Sequence, residues 1–304
     1  MTYSIVAHDA RTGQLGVAVQ TCNLAVGTWV PWAEGGVGAV ATQAMAERSY
    51  GTLGLDLMRG GLAAPRALAA LLAADEGRER RQVAMIDGAG RVAQHMGARC
   101  LPQAGMACGP GFAAQANMMA RDTVWGAMAA AYEEARRSEQ GDLADWLLAA
   151  LEAAQAEGGD IRGQQTAALL VVGPRNRRAP LVDLRVDHHP QPLHELRRLI
   201  DLHRAYEAEY RIGDLAASGE RGRAYGLVQE VLALAPGEEY LRYLCAVHLA
   251  GGLQRQDEAL ALLRPLAERR PMWMEYLRRD AEVGLFGEPG ASAALYDALR
   301  EEGI

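Results

Sequence analysis

Apolar and polar residues alternate over Thr2 to His8 and again over Gln14 to Thr21, where Leu15, Val17 and Val19 fall on one side. Asp9-Ala10-Arg11-Thr12-Gly13 between them supplies turn residues, so a β-hairpin is expected at the start. After a loop with Pro31, the glycine-rich apolar run Gly36 to Gln43 predicts a buried strand that another backbone approaches closely. The period then becomes helical over Tyr50 to Arg59 and Ala63 to Ala74, with Gly60-Gly61 between and Pro65 in a first turn that tolerates it. Ser49 reads as the N-cap of the first of these helices. Gln82 to Ile86 and Arg91 to His95 flank Asp87-Gly88-Ala89-Gly90 and predict a second hairpin. Met106 to Gln115 predicts one or two short strands, Thr123 to Arg137 and Leu143 to Ala156 two Ala-rich helices, and Thr166 to Val172 and Leu181 to Val186 the closing strands.

Strands, two helices, strands, two helices, strands is the order of an α+β domain. Runs apolar on both faces, such as Ala168 to Val172, imply sheets covered on both sides, which a four-layer αββα sandwich provides. From about Pro190 strand signals cease. The expected organisation is a sandwich domain over 1–189 and an all-α domain over 190–304. In the latter, "LALAPGEEYLRYLCAVHLA" is echoed by "LAERRPMWMEYLRRDAEVG", with Pro236 and Pro271 thirty-five residues apart. That period resembles a tetratricopeptide repeat of helical hairpins, and a simple helical bundle stays open beside it.

The net charge of -7 with mixed signs leaves no basic stripe for a phosphate backbone, so nucleic acid is not expected as a partner. No run is apolar enough to span a membrane and no signal peptide is visible, which sets a cytoplasmic expectation. Cys22, Cys100, Cys108 and Cys245 are widely spaced and read as reduced thiols. His95, Cys100 and Cys108 lack zinc spacing, and the three histidines of "DHHPQPLHE" (Asp187 to Glu195) read as linker, so no metal or cofactor is expected. All 31 basic residues are arginine. Without lysine neither a Schiff base nor a Gly-Lys-Ser/Thr phosphate loop can form.

Candidate chemistry begins at Thr2. Made N-terminal by loss of Met1, a threonine carries its own general base, since an α-amine has a pKa of about 8 and reaches its own hydroxyl. In "EGGDIRGQQTAALLVV", Asp160 and Arg162 form a charged pair among glycines just before a buried strand; a site on that loop and a capping role both stay open. Gln43 ends an apolar run before Arg48, and Gln115 and Asn117 end another, amides suited to an oxyanion or a substrate carboxylate.

These residues lie within longer motifs. "TYSIVAHDARTGQLGVAVQT", "VPWAEGGVGAVATQ", "SYG", "RQVAMID", "GFAAQANMM" and "GGDIRGQQTAALLVV" together resemble the family called domain of unknown function 1028, from Thr2 to about Arg204. The resemblance implies the fold of N-terminal nucleophile hydrolases, with Thr2 at the nucleophile position and Asp160, Arg162 and Thr166 in its Asp-x-Arg-Gly-x-Gln-x motif, Thr166 standing where serine is usual. Gln115-Ala116-Asn117 and Glu47-Arg48 depart from the usual Gln-Gly-Asn and Asn-Pro. A proteasome-type lysine is absent, which leaves Arg48 or Arg162 to supply positive charge. In some relatives a C-terminal segment is regarded as peptidoglycan-binding, and "PLHELRRLIDLHRAYE" is similar to its beginning.

The expectation is an oligomeric amidohydrolase cleaving a small molecule or short peptide. Thr2, Asn117, Asp160 and Arg162 would be catalytic, and Gln43, Arg48, Gln115 and Thr166 substrate-binding. Residues 190–304 would offer a surface for a protein partner. The competing expectation is a non-catalytic binding or scaffold protein of the same fold that uses this helical tail.

Overall fold

The computed structural model describes residues 2–138, 140–175, 179–284 and 290–304. Close contacts divide the chain into two compact units, Met1–Leu199 and Ile200–Ile304. No helix among the described residues is long and apolar enough to cross a membrane.

The first unit is built on two antiparallel sheets. β1 (Thr2–Asp9) and β2 (Gln14–Thr21) form the opening hairpin. With β7 (Gly105–Gly109), β8 (Phe112–Asn117), β9 (Thr166–Val172) and β10 (Val182–Val186) they make a six-stranded sheet ordered β10-β9-β2-β1-β8-β7. β3 (Pro31–Glu34), β4 (Gly38–Ala44), β5 (Arg81–Asp87) and β6 (Val92–Met96) make a four-stranded sheet in chain order. Pro31, read as loop, starts β3, an edge strand whose first position needs no ladder N–H.

Alternation decides what each strand face meets. Ala39 and Ala41 of β4 and Ala84 and Ile86 of β5 pack with Val6, Val17 and Val19 of β1 and β2 in a core between the sheets. Their neighbours Val40, Val83 and Met85 face the other way, onto Tyr50 and Met58 of α1 (Ser49–Arg59) and Leu68 of α2 (Ala64–Ala74). α3 (Val124–Arg137) lies against β7 and β8, and α4 (Leu143–Ala156) against β1, β2 and β9. A capping box starts α4: Asp142 accepts from the Ala144 and Asp145 N–H groups, and Asp145 accepts from the Asp142 N–H. Ser49 is not a cap. Arg48 occupies the N-cap of α1, and the Glu47 carboxylate takes the Ser49 N–H at 3.1 Å.

The histidine segment read as linker is short, because α5 (Pro192–Ala217) begins inside it. α6 (Arg221–Leu234) and α7 (Glu239–Ala250) span 14 and 12 residues, as do α8 (Gln256–Arg269) and α9 (Met272–Val283). Pro236 and Pro271 stand at the two turns, and α10 (Ala291–Glu301) follows. The core of this unit runs from Ala205 through Leu241, Leu244 and Leu263 to Leu299, with Tyr243, Trp273 and Tyr276 stacked or edge-on within about 6 Å. Tyr243 and Ser292 both donate to the buried carboxylate of Asp280.

Candidate functional site

β1 runs between β2 and β8, which sets its first residue, Thr2, opposite Asn117 at the end of β8. The register that pairs Tyr3 with Gln20 brings Thr21 alongside on the other flank. Thr2 is buried, and its Oγ1 donates to Thr21 Oγ1 at 3.3 Å. Thr21 Oγ1 also accepts from Arg162 Nη2 at 3.4 Å. A guanidinium therefore stands one hydroxyl away from Thr2 Oγ1.

Arg162 is fixed there by Asp160. Its Nη2 and Nε reach Asp160 Oδ2 and Oδ1 at 2.7 and 3.0 Å, and its backbone N–H bonds Oδ1 at 2.9 Å. The Asp160 side chain is wholly buried, so its charge requires this fork, together with the Cys22 N–H at 3.3 Å. The fork in turn raises the pKa of Arg162 and keeps it cationic. The same carboxylate acts, after burial, to push the Tyr3 phenol well above its ordinary range. Gly158, Gly159 and Gly163 take positive φ around the pair, a path that side chains with a Cβ resist. Asp160 thus holds a local turn through the Arg162 N–H and caps no helix among the described residues, while the pair it forms with Arg162 stands next to the start of β1.

A network of buried amides holds the other side of Thr2. Gln43 Nε2 donates to the Thr2 carbonyl at 2.9 Å and to Gln82 Oε1 at 2.8 Å, while Ser4 Oγ donates to Gln43 Oε1 at 2.6 Å. Asn117 Nδ2 donates to Gln82 Oε1 at 2.8 Å and lies 3.5 Å from the Thr2 carbonyl. Gln82 Nε2 closes onto the Gly105 and Ala116 carbonyls. Gln115 lies one step deeper, donating to Ser4 Oγ and the Ala41 carbonyl. These bonds join the two sheets at the end where Thr2 sits.

Two cavities open there, and Ala44 lines both. One, of about 210 Å³, is bounded by Thr2, Asn23, Leu24, Trp29, Val30 and Gln43. Arg48 stacks 3.7 Å from the Trp29 ring centre, at the rim of this space. The other, of about 330 Å³, is bounded by Met45, Arg80, Arg99, Cys100, Leu101 and Asn117. Among the described residues neither Arg80 nor Arg99 has a side-chain hydrogen bond or ion pair, and burial raises the Cys100 thiol. The backbone bends sharply at this end, with Ala25, Ala44 and Met118 at φ of 54°, 67° and 56°. Such left-handed alanine and methionine residues cost of order 1–2 kcal/mol each and persist where the surroundings enforce them.

Of the residues singled out in the sequence, Thr2, Gln43, Asn117, Asp160 and Arg162 are brought into one connected group, with Arg48 at its edge. Gln115 and Thr166 line neither cavity. Thr166 Oγ1 instead donates to the Asn23 carbonyl at 2.8 Å, holding the loop after β2. Thr21, Gln82, Arg80 and Arg99 were missed. Thr21 was legible from the hairpin register, whereas Gln82 joins the site through Gln43 and Asn117, and Arg80 and Arg99 line the neighbouring cavity with Asn117, placements that no local spacing encodes. Among the described residues no group of three or more His, Cys, Asp or Glu side chains is placed to hold a metal ion.

The model of a family of unknown function, DUF1028, matches residues 2–196. This chain belongs to that family. A DUF1028 protein of Silicibacter pomeroyi, known from its crystal structure, is 34% identical, superposes with a TM-score of 0.59, and is matched over 66% of this chain and 87% of its own. The DUF1028 segment ends short of the helical hairpins. Two structures of Thiobacillus denitrificans BPH, one in complex with epoxomicin, are 13% and 14% identical over 58% of this chain and 100% and 99% of theirs, at TM-scores of 0.35 and 0.31. No curated protein matches the chain.

Proposed function

We propose that the DUF1028 unit is an αββα sandwich of the N-terminal nucleophile hydrolase type and an amidohydrolase whose nucleophile is Thr2, freed by removal of Met1. The observation that carries this reading is the placement of Thr2: at a cavity wall, its hydroxyl joined through Thr21 to Arg162, its carbonyl held by Gln43 and Asn117. The α-amine takes the proton from Oγ1 as that oxygen bonds to the amide carbon. The tetrahedral oxyanion is met by the Ala46 N–H, which borders the same cavity and has no partner among the described residues. The ammonium returns its proton to the departing nitrogen as the C–N bond breaks, and water, deprotonated by the same amine, then releases the acyl group. Arg162 takes the place of a lysine, favouring the neutral amine and the ionised hydroxyl. Gln43, Gln82 and Asn117 are positioning residues, their amides already committed to the Thr2 carbonyl and to one another.

The linings of the two cavities support a substrate amide with an apolar group for the Leu24, Trp29 and Val30 wall and a carboxylate for Arg80 and Arg99, as in N-acyl amino acids or short acidic peptides. The paired 14- and 12-residue helices of the C-terminal unit support a two-unit tetratricopeptide-like array for protein contact.

Intact mass of protein from its own host, followed by amine release from a panel of N-acyl amino acids, tests the reading. A mass short by one methionine, activity lost in Thr2→Ala and kept in Thr2→Ser, and KM raised about tenfold by Arg80→Gln or Arg99→Gln are the expected results. Retained Met1, or full activity in Thr2→Ala, overturns the mechanism and leaves a binding protein of this fold.

A further inference from the structure

The C-terminal unit contains its own cavity, of about 280 Å³, between one face of α5 and one face of α7. Tyr206, Glu209, Tyr210 and Asp214 recur on α5 at helical spacing, and Tyr240 and His248 lie two turns apart on α7, so three phenol rings and two carboxylates line one space. Glu209 is 6% exposed. His248 Nε2 donates to its Oε1 at 2.9 Å, and among the described residues no hydrogen bond reaches Oε2.

Several surface carboxylates of this unit are balanced by arginine, whereas the buried Glu209 is not, among the described residues. Glu220, Glu239, Glu258, Glu275 and Glu302 each pair with an arginine. Glu209 and Asp214, in the same arginine-rich chain, have none among the described residues. Burial foremost raises the phenols of Tyr206 and Tyr240; the charge of Glu238 adds to it at Tyr206 and a hydrogen bond with Tyr276 at Tyr240, with Glu209 a lesser contributor to both. Among the described residues no group of three or more His, Cys, Asp or Glu side chains is placed to hold a metal ion, and walls of three phenol rings suit a delocalised organic cation. A guanidinium suits the lining better than an ammonium, because its plane stacks on phenol faces while its edge donates two bonds to a carboxylate.

We propose that this cavity binds an alkylguanidinium, with Glu209 Oε2 and Asp214 accepting its N–H groups and the tyrosine rings packing on its plane. The probes are agmatine, the peptide acetyl-Gly-Arg-Gly-amide, and the same peptide with uncharged citrulline for arginine, titrated into the full chain by calorimetry. Saturable one-to-one binding of the guanidinium probes and none of the citrulline peptide is expected. Tighter binding of the peptide marks a peptide source, whereas equal or tighter binding of agmatine marks a free guanidine. Glu209→Gln keeps an acceptor for His248 and Asp214→Asn lies on the surface; each weakens binding about tenfold with circular dichroism unchanged. No saturable binding, equal binding of the citrulline peptide, or affinity untouched by both substitutions overturns the proposal.

Discussion

Gln43 and Gln20 are both buried to within 1%, on neighbouring layers of the same unit, yet their surroundings differ completely. Gln43 spends its amide on the Thr2 carbonyl and Gln82 and accepts from Ser4. Neither polar atom of Gln20 has a partner among the described residues. Removing the first strands several buried groups, while removing the second deletes a desolvation cost. Gln43→Leu is therefore expected to destabilise the fold by about 2–4 kcal/mol, and Gln20→Met to be neutral or stabilising by about 1–2 kcal/mol, in urea titrations. A similar loss in both would show that Gln20 has a partner. Both glutamines sit near strand ends in the sequence, and nothing local tells them apart.

At the scale of elements, Asp75 ties three together. It follows α2, and its carboxylate accepts from Arg81 of β5 at 2.9 Å, from Tyr50 of α1 at 3.0 Å and from the Gly77 N–H at 2.7 Å. Arg81 foremost holds its pKa below the ordinary carboxylate value. A group depressed on folding stabilises above its unfolded pKa and loses that contribution as pH falls through the folded one. The stability gap between wild type and Asp75→Asn is thus expected to be largest at neutral pH and to close on acidification below the carboxylate range. Thermal melts across that range check it, and a gap constant with pH would count against it. The hairpins and α4 were legible because turn residues and periodicity are local signals. β3 was not, being four residues long and starting at a proline. Ser49 was misread as a cap because nearby Glu47 supplies the oxygen from one step outside the helix.

Across the whole molecule, the candidate site gathers Thr2, Thr21, Gln43, Gln82, Asn117 and Arg162 from six separate stretches of chain. One compositional fact makes it testable as a unit. With no lysine among the 304 residues, an amine-reactive ester has the α-amine as its target amine. A single label is expected, located on Thr2 by peptide mass spectrometry, and the labelled protein should lose amide hydrolysis. A label on Met1 in the native protein, or unchanged activity after labelling, would contradict the proposed nucleophile. By itself the sequence determined the hairpins, the helices α1 to α4 and the absence of lysine chemistry, because these depend on composition and on neighbours a few residues apart. Tertiary structure alone decided that β1 lies between β2 and β8, that Asp160 delivers Arg162 to Thr21, and that Arg80 and Arg99 line one cavity with Asn117. Each of those outcomes depends on which distant segments close on one another, and the free energy of such closure resides in the packed core.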